Sequence, residues 1–462
     1  MKKTKIIATL GPATQDYTSI LSLIKSGVNV FRLNFSHGDK KFFDMLLKNV
    51  KRAREKSGEA VAILQDLQGP KIRTVKMEKP LTVKRGETVV ICNGNCSSRE
   101  GVKEIAIDIR DLYTHIKAGQ KIMINDGLVE LRVKEIANTK IICSVTAGGD
   151  IAGRKGVNLP GAKLPLSSLT KRDIENLKYG LKNNVDIVCL SFVRTAGDMA
   201  ALNKLIAKQK KCRPLVVAKI EKPEAVKNID SILNESDGIM VARGDLSVEA
   251  GYMNVPEMQK RMIKKANDAG KLVIVATQML ESMTNNPYPE RAEVTDVYNA
   301  VLDGADTLML SGETSVGKYP FKTVKSMAEI IKKAESDMIK NGREDFSAIK
   351  ADNGENALSL AAASMPAALK NCAIAIKTGE LHDITYMSDY RPDRAVAAVT
   401  CDRKLYYQMA IYHGIYPVFI AKPDAINTAA YLKKKFKNLQ KVVYLEYHSE
   451  KHIEGRVTLI NV

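Results

Sequence analysis

The chain has 462 residues, of which 45% are hydrophobic and 27% charged, a composition typical of a globular protein with several domains. No apolar run is long enough to span a membrane, and the first apolar run is too short for a secretory signal, so we expect a cytoplasmic protein without a membrane partner. The net charge of +19 comes from scattered lysines without an aromatic RNA-binding motif, which argues against specific nucleic-acid binding.

Eight short apolar runs, rich in Val, Ile and Leu, recur along the chain, and each is followed by a segment with helical patterning. Alternating strands and helices favour a parallel sheet covered by helices, and eight such units close a (β/α)8 barrel. We therefore predict an α/β protein built on a (β/α)8 barrel. The runs are KIIATLG from Lys5, VFRLNFS from Val30, AILQDL from Ala62, IVCLSFV from Ile187, VVAKIE from Val216, IMVARGDL from Ile239, VIVATQML from Val273 and TLMLSGE from Thr307.

One connection is far too long for a barrel unit. About 120 residues separate the third and fourth runs, whereas a βα unit needs about 30. The intervening segment reads as short alternating strands with Gly and Asn turns, as in KIMINDGLVELRV and TKIICSVTAGG. This pattern predicts an all-β domain inserted after the third barrel strand, and a domain hinged over the barrel mouth would act as a lid.

The pattern changes again after the eighth run. Five further strand-like runs, beginning with NCAIAIKTG and ending with RVTLINV, alternate mostly with helical segments. We expect a separate C-terminal α/β domain with a regulatory and oligomerising role. The predicted domain limits are 1–69 and 167–338 for the barrel, 70–166 for the inserted β-barrel lid, and 339–462 for the C-terminal domain.

Polar residues concentrate where the barrel strands end. Chemistry in such barrels takes place at the carboxyl ends of the strands, and several charges buried there are costly unless a ligand or metal balances them. The candidates are Arg32, Asn34, Ser36, His37, Asp66, Lys219, Glu221, Arg243, Asp245, Thr277, Ser311 and Glu313.

Two carboxylates in this set suggest a metal site. Glu221 and Asp245 follow neighbouring strands, so they can converge on one hard divalent cation, and Mg2+ typically takes one or two carboxylates together with water and substrate oxygens. Lys219 and Arg32 would supply positive charge to an anionic substrate. Spacing alone thus predicts a Mg2+-dependent barrel enzyme acting on a small phosphorylated or keto-acid substrate.

A backbone anion site is expected beside the metal. If a helix begins near Gly244, the amides of Arg243, Gly244 and Asp245 point outward at its positive end. Two alternatives remain at this point. A pyruvate-dependent aldolase or lyase would share the carboxylate pair without needing a lid, and a basic binding or scaffold protein would need none of this chemistry.

With these residues in place, the chain resembles the pyruvate kinase family over nearly its whole length. The family has a barrel domain, an inserted β lid and a C-terminal α/β domain, in the same order as above. The stretches that carry the resemblance are TKIIATLGPAT, NVFRLNFSHG, KGVNLPG, SDGIMVARGDL, ATQMLESM, RAEVTDVYNAVLDGAD and LMLSGETSVGKYP.

The resemblance implies phosphoryl transfer from phosphoenolpyruvate to ADP, giving pyruvate and ATP in the final step of glycolysis, and a homotetramer. Catalytic roles fall to Lys219 on the migrating phosphoryl group, Arg32 on the phosphate and Thr277 near the proton-delivery step. Glu221 and Asp245 would hold Mg2+ or Mn2+. The implied substrate-binding set is Arg32, Lys219, Arg243, Gly244, Asp245 and Thr277.

The resemblance also implies a nucleotide site and a monovalent-cation site. The implied nucleotide contacts are Asn34, Ser36, His37, Arg73 and Lys155. The implied potassium ligands are Asn34, Ser36, Asp66 and the carbonyl of Leu67.

The sequence departs from the family at two places. Potassium-dependent members read Asp-Thr-Lys-Gly-Pro-Glu where this chain reads DLQGPK, which ends at Lys71. We expect the Lys71 ammonium to replace the monovalent cation, so that potassium is not required. The C-terminal phosphate loop of members regulated by fructose 1,6-bisphosphate is here KTGELHDI, with Glu380 and Asp383, and two carboxylates disfavour a phosphate.

Overall fold

The barrel, the insertion and the C-terminal domain are all visible in the structure, a computed structural model that describes residues 2–93, 103–162, 164–208, 213–340, 354–447 and 455–462. The chain begins with three barrel strands separated by two helices, each helix capped by an aspartate at its start and by a left-handed glycine at its end. These elements are β1 (Lys5–Thr9), α1 (Tyr17–Ser26), β2 (Val30–Asn34), α2 (Lys40–Ser57) and β3 (Ala62–Asp66).

The insertion follows β3 and consists almost wholly of strands. It forms a six-stranded sheet in the order β11-β7-β8-β9-β5-β6 and a two-stranded sheet of β4 and β10. Its elements are β4 (Leu81–Val83), β5 (Thr88–Asn93), β6 (Lys103–Ile107), α3 (Leu112–His115), β7 (Lys121–Ile124), β8 (Val129–Ala137), β9 (Lys140–Ala147), β10 (Gly149–Ile151) and β11 (Val157–Asn158).

The chain then returns to the barrel and completes it. The five remaining strands are apolar and almost entirely buried, as expected for a parallel sheet covered by helices. The elements are α4 (Lys171–Lys182), β12 (Ile187–Leu190), α5 (Ala196–Ala207), β13 (Leu215–Ile220), α6 (Pro223–Lys227), α7 (Ile229–Asn234), β14 (Gly238–Ala242), α8 (Arg243–Ala250), α9 (Val255–Asp268), β15 (Leu272–Ala276), α10 (Arg291–Asp303), β16 (Thr307–Leu310), α11 (Gly312–Ser315) and α12 (Pro320–Lys340).

Eight parallel strands close the barrel in the order β1-β16-β15-β14-β13-β12-β3-β2, which confirms the predicted fold class. All eight strand runs expected from the sequence are present. The helix expected near Gly244 begins at Arg243, and Pro223 occupies the first turn of α6. The domain limits themselves stay predictions, and α12 continues two residues beyond the expected limit at 338, to Lys340.

The C-terminal domain is a five-stranded sheet flanked by helices, in the order β19-β18-β17-β20-β21, parallel except for β21. Within the described residues, no helix is long and apolar enough to cross a membrane. The elements are α13 (Gly354–Ser364), β17 (Cys372–Lys377), α14 (His382–Asp389), β18 (Val396–Thr400), α15 (Arg403–Gln408), β19 (Ile415–Phe419), α16 (Ala425–Lys435), β20 (Lys441–Tyr447) and β21 (Gly455–Asn461).

Aspartates fasten the amino-terminal end of the barrel. Asp186, Asp237 and Asp306 each directly precede a barrel strand, and each accepts a hydrogen bond from a backbone N–H of the preceding barrel strand. Two of these carboxylates also bind cations of the C-terminal domain. Asp186 lies 3.4 Å from Lys404 Nζ, and Asp306 lies 3.0 Å from Arg391 Nη2. These aspartates therefore bind neighbouring barrel strands to each other, and two of them also bind the C-terminal domain to the barrel.

Replacing Asp186 by Ala should destabilise the protein strongly. The carboxylate is buried and also pairs with Arg54 Nη1 at 3.0 Å, so its removal leaves two cations without a counter-ion, a loss of about 3–5 kcal/mol. Chemical denaturation monitored by circular dichroism measures the change. Asp230→Ala, which breaks an exposed pair with Lys265, is the control and should hardly move the midpoint. Equal midpoints for the two variants would contradict the assigned role.

Candidate active site

The carboxyl ends of the strands and the lid enclose a cavity of about 430 Å3. Most of the residues expected from the sequence line it. The expected residues that are not among its lining residues are Asp66, Leu67, Arg243, Gly244, Ser311 and Glu313. The expected residues that do line it are Arg32, Asn34, Ser36, His37, Lys71, Arg73, Lys155, Lys219, Glu221, Asp245 and Thr277.

The Asp66 carboxylate lies beneath the cavity and binds two cations from other barrel strands, Arg32 of β2 and Lys219 of β13. Its Oδ2 accepts from Arg32 Nε at 2.8 Å and pairs with Nη2 at 2.6 Å, and its Oδ1 lies 3.2 Å from Lys219 Nζ. Burial alone would raise the pKa of Asp66, but Lys219 and Arg32 outweigh it and hold the pKa below its ordinary value. Asp66 is therefore an anion that orients two cations.

Lys219 makes three contacts at the end of β13. Besides Asp66, its ammonium lies 3.1 Å from Glu221 Oε1 and donates to Ser191 Oγ at 2.8 Å. Burial lowers the pKa of Lys219, but Asp66 and Glu221 together raise it above its ordinary value. The side chain stays protonated, so it can serve as a fixed positive charge and not as a base.

Glu221 uses its second oxygen to accept from the backbone N–H of Phe192 at 2.6 Å. Phe192 adopts a left-handed conformation, with φ of 55°, which is unfavourable for a bulky side chain. Burial raises the pKa of Glu221; the Lys219 ammonium opposes the shift, and Asp245 adds to it. An additional cation near Glu221 would favour the ionised form of its carboxylate.

Thr277 occupies a second strained position at the cavity wall. Its φ of 73° is rare for a β-branched residue, and its hydroxyl accepts from Gly244 N at 2.8 Å while donating to Ala276 O. The Arg243 guanidinium braces this turn by donating to Thr277 O at 2.7 Å, and it pairs with Asp296 at 2.7 Å. The Arg243 side chain thus supports the turn instead of lining the cavity.

The expected potassium ligands already make hydrogen bonds or ion pairs within the protein. Asn34 Oδ1 accepts from Ser36 N at 3.1 Å, and the Leu67 carbonyl accepts from Ser191 Oγ at 2.6 Å. The Asp66 carboxylate is paired with Arg32 and Lys219, as described above. Three of the four expected ligands thus have their oxygens engaged by protein donors.

The lid contributes its own side chains to the cavity. Arg154, Lys155 and the turn residues Asn125 and Asp126 face the same space as the barrel residues. Sequence reasoning missed Arg154, although it adjoins Lys155 in GRKG, and it missed the NDG turn that carries Asn125 and Asp126. It also missed barrel residues at the wall, namely Gln68, Ser191, Phe192, Met240, Ala242 and Met309.

Cations outnumber carboxylates around the cavity. The carboxylates are Asp126, Glu221 and Asp245. Burial lowers the pKa of His37, and the nearby cations Arg73, Lys71 and Arg32 lower it further, so the imidazole favours its neutral form. The excess of positive charge suits an anionic ligand. The six cations are Arg32, Lys71, Arg73, Arg154, Lys155 and Lys219.

A parallel eight-stranded barrel with a β lid over a cation-rich cavity defines a barrel enzyme that handles anionic substrates. The comparisons with known proteins specify the family. Residues 1–324 match the family model described as pyruvate kinase, barrel domain. This chain belongs to the pyruvate kinase family and is a phosphotransferase, which confirms the expected enzyme class.

Individual relatives agree with the family assignment. The chain is 39% identical over 427 residues to a pyruvate kinase of Clostridium acetobutylicum, covering 91% of this chain and 89% of that protein. It is 38% identical over 429 residues to one of Staphylococcus saprophyticus, covering 90% and 72%. A solved pyruvate kinase of Cryptosporidium parvum is similar over 99% of this chain and 96% of its own, with 33% identity and a TM-score of 0.90.

Proposed function

We propose that this chain transfers the phosphoryl group of phosphoenolpyruvate to ADP, giving pyruvate and ATP at the end of glycolysis. The observation that carries the proposal is the buried cluster of Asp66, Arg32 and Lys219 beside two carboxylates at the barrel mouth. Phosphoryl transfer needs positioning and charge stabilisation more than covalent catalysis. Two oriented cations above a fixed anion provide both.

Glu221 and Asp245 would hold the divalent metal, Mg2+ or Mn2+. Both line the cavity, and the described residues contain no group of three or more His, Cys, Asp or Glu side chains that could hold a metal. A pair of carboxylates fits Mg2+, which completes its shell with water and substrate oxygens. When bound, the metal neutralises charge on the oxygens of the substrate and of the transferred group.

Arg32 and Lys219 bind the phosphoryl group. Asp66 pairs with both and fixes their direction, so little reorganisation is needed as charge moves during transfer. Thr277 lies at the cavity wall, where its hydroxyl can take part in proton delivery to the enolate carbon. Because the Gly244 amide already bonds to Thr277 Oγ1, a substrate carboxylate at this helix start would use the neighbouring Asp245 amide.

The nucleotide lies on the lid side of the cavity. Lys155 and Arg154 from the lid, together with Arg73 at its base, would bind the phosphates of ADP, with Asn34, Ser36 and His37 below them. Closing the lid over these groups excludes water, which limits hydrolysis of the phosphoryl group. The family resemblance also supports a cytoplasmic homotetramer, and light scattering after size-exclusion chromatography tests the assembly.

Lys219→Met should reduce turnover by several orders of magnitude while the fold is retained, because the fixed charge on the migrating group is lost. A coupled assay for pyruvate with phosphoenolpyruvate, ADP and Mg2+ measures the effect. Lys264→Met on the exposed face of α9 is the control. A Lys219→Met enzyme within tenfold of the parent would refute the role, and pyruvate formed without ADP would favour an aldolase or lyase.

Activity does not require potassium in this proposal. Lys71 lines the same cavity as Arg32 and Lys219, and it stands where potassium-dependent members have glutamate. Its ammonium supplies the single positive charge that the cation would otherwise bring. We expect equal activity in potassium and tetramethylammonium buffers for the natural chain, and potassium dependence for Lys71→Glu. Activity in tetramethylammonium below a tenth of that in potassium would contradict this.

Fructose 1,6-bisphosphate is not the effector in this proposal. In the C-terminal loop, Asp383 Oδ2 accepts from Thr378 Oγ1 at 2.9 Å, from Gly379 N at 3.0 Å and from Glu380 N at 3.2 Å. A built-in carboxylate thus takes the donors that a phosphate would need. The sugar bisphosphate should leave the half-saturating phosphoenolpyruvate concentration unchanged, and a clear drop would show the proposal wrong.

A further inference from the structure

Glu249 joins three parts of the molecule through one buried carboxylate. It lies on α8 one turn after Asp245, and its side chain is only 4% exposed. Its Oε1 accepts from Asn158 Nδ2 at 3.1 Å, and its Oε2 lies 3.2 Å from Lys222 Nζ. Neither contact has a part in the chemistry proposed above.

The two partners of Glu249 belong to functionally different segments. Asn158 ends β11, the strand that pairs with β7 in the lid and leads the chain back to the barrel. Lys222 directly follows Glu221, the first of the two carboxylates assigned to the metal. Asp245, the second, lies one helical turn before Glu249 and so on the same face of α8.

The lid also approaches α8 at the residue next to Glu249. Asn125, Asp126 and Gly127 form a turn with three successive left-handed residues, and a methyl group added at Gly127 would lie 3.6 Å from Val248 Cγ2. The same turn places Asn125 and Asp126 at the active-site cavity. The lid therefore contacts α8 at Glu249 and approaches it at Val248.

We propose that Glu249 is a positioning residue that couples the lid to the metal-binding segments, an inference that rests on the metal site of the proposed function. Through it, a metal held by Glu221 and Asp245 stabilises the lid in place over the cavity. Coupling is reciprocal, so a closed lid in turn strengthens metal binding.

Hydrogen exchange of the lid with and without MnCl2 tests this coupling in the full chain, without substrates. In the parent protein, saturating Mn2+ should slow exchange of lid amides in residues 121–158 by about fivefold or more, the range typical of coupled sites. In Glu249→Gln, the ratio of the lid exchange rate without Mn2+ to the rate with Mn2+ should fall close to one. Glu257→Gln, which breaks an exposed pair with Arg261 at 3.3 Å on the next helix, should behave as the parent.

The ratio separates coupling from simple loss of stability. An ion pair that only stabilises the fold would speed lid exchange equally with and without metal, leaving the ratio unchanged, and that outcome would overturn the proposal. No metal-dependent slowing in the parent protein would overturn it as well. Because the probe is Mn2+ alone, absence of pyruvate formation would refute the proposed reaction without affecting this test.

A second variant removes only the lid contact. Asn158→Ala leaves the Glu249–Lys222 pair in place and should lose the metal-dependent slowing in the lid. Because coupling is reciprocal, its Mn2+ affinity, measured by electron paramagnetic resonance, should fall by about the same factor. The exchanged pair Lys222→Glu with Glu249→Lys restores opposite charges and should recover part of the metal affinity that Glu249→Gln loses. If Mn2+ slows lid exchange in Asn158→Ala as much as in the parent protein, coupling through Asn158 is contradicted.

Discussion

The arrangement of the barrel mouth depends on four charged side chains that are buried next to one another. Asp66 and Glu221 carry negative charge and Arg32 and Lys219 carry positive charge, so the cluster is balanced before any ligand arrives. Burying such groups is tolerable only because each has a close partner. In the proposed reaction, the substrate anion and the divalent cation would thus meet a cluster whose own charges already have partners.

The architecture could be predicted from the sequence because the hydrophobic pattern of each segment agrees with the structure that the segment forms. The eight strand runs are buried on both faces and therefore lack alternation, whereas the insertion alternates and carries Gly and Asn turns. The cavity residues could be found because parallel strands bring their carboxyl ends to one edge. Pattern alone therefore reached Glu221, Asp245 and Lys219, and the family resemblance added Lys155 and Arg73.

The sequence pattern could not predict side-chain direction or backbone strain. Arg243 belongs to the expected stretch, yet its guanidinium turns toward Asp296 because the turn at Thr277 offers carbonyl acceptors on that side. The left-handed backbone at Phe192 and Arg154 has no glycine or asparagine to signal it. Such strain, held in place by the surrounding packing, often accumulates where side chains must face a ligand.

The aspartates at the strand starts bear on how the protein could be taken apart. The Asp186 and Asp306 carboxylates form ion pairs with Lys404 and Arg391, two cations that belong to the C-terminal domain. A barrel produced without the C-terminal domain would keep these two carboxylates but lose their counter-ions. The surface that the domain covers would also be exposed to solvent. Dissection of this enzyme into an autonomous catalytic module would therefore require rewriting both positions, for instance as neutral acceptors that keep the backbone bonds.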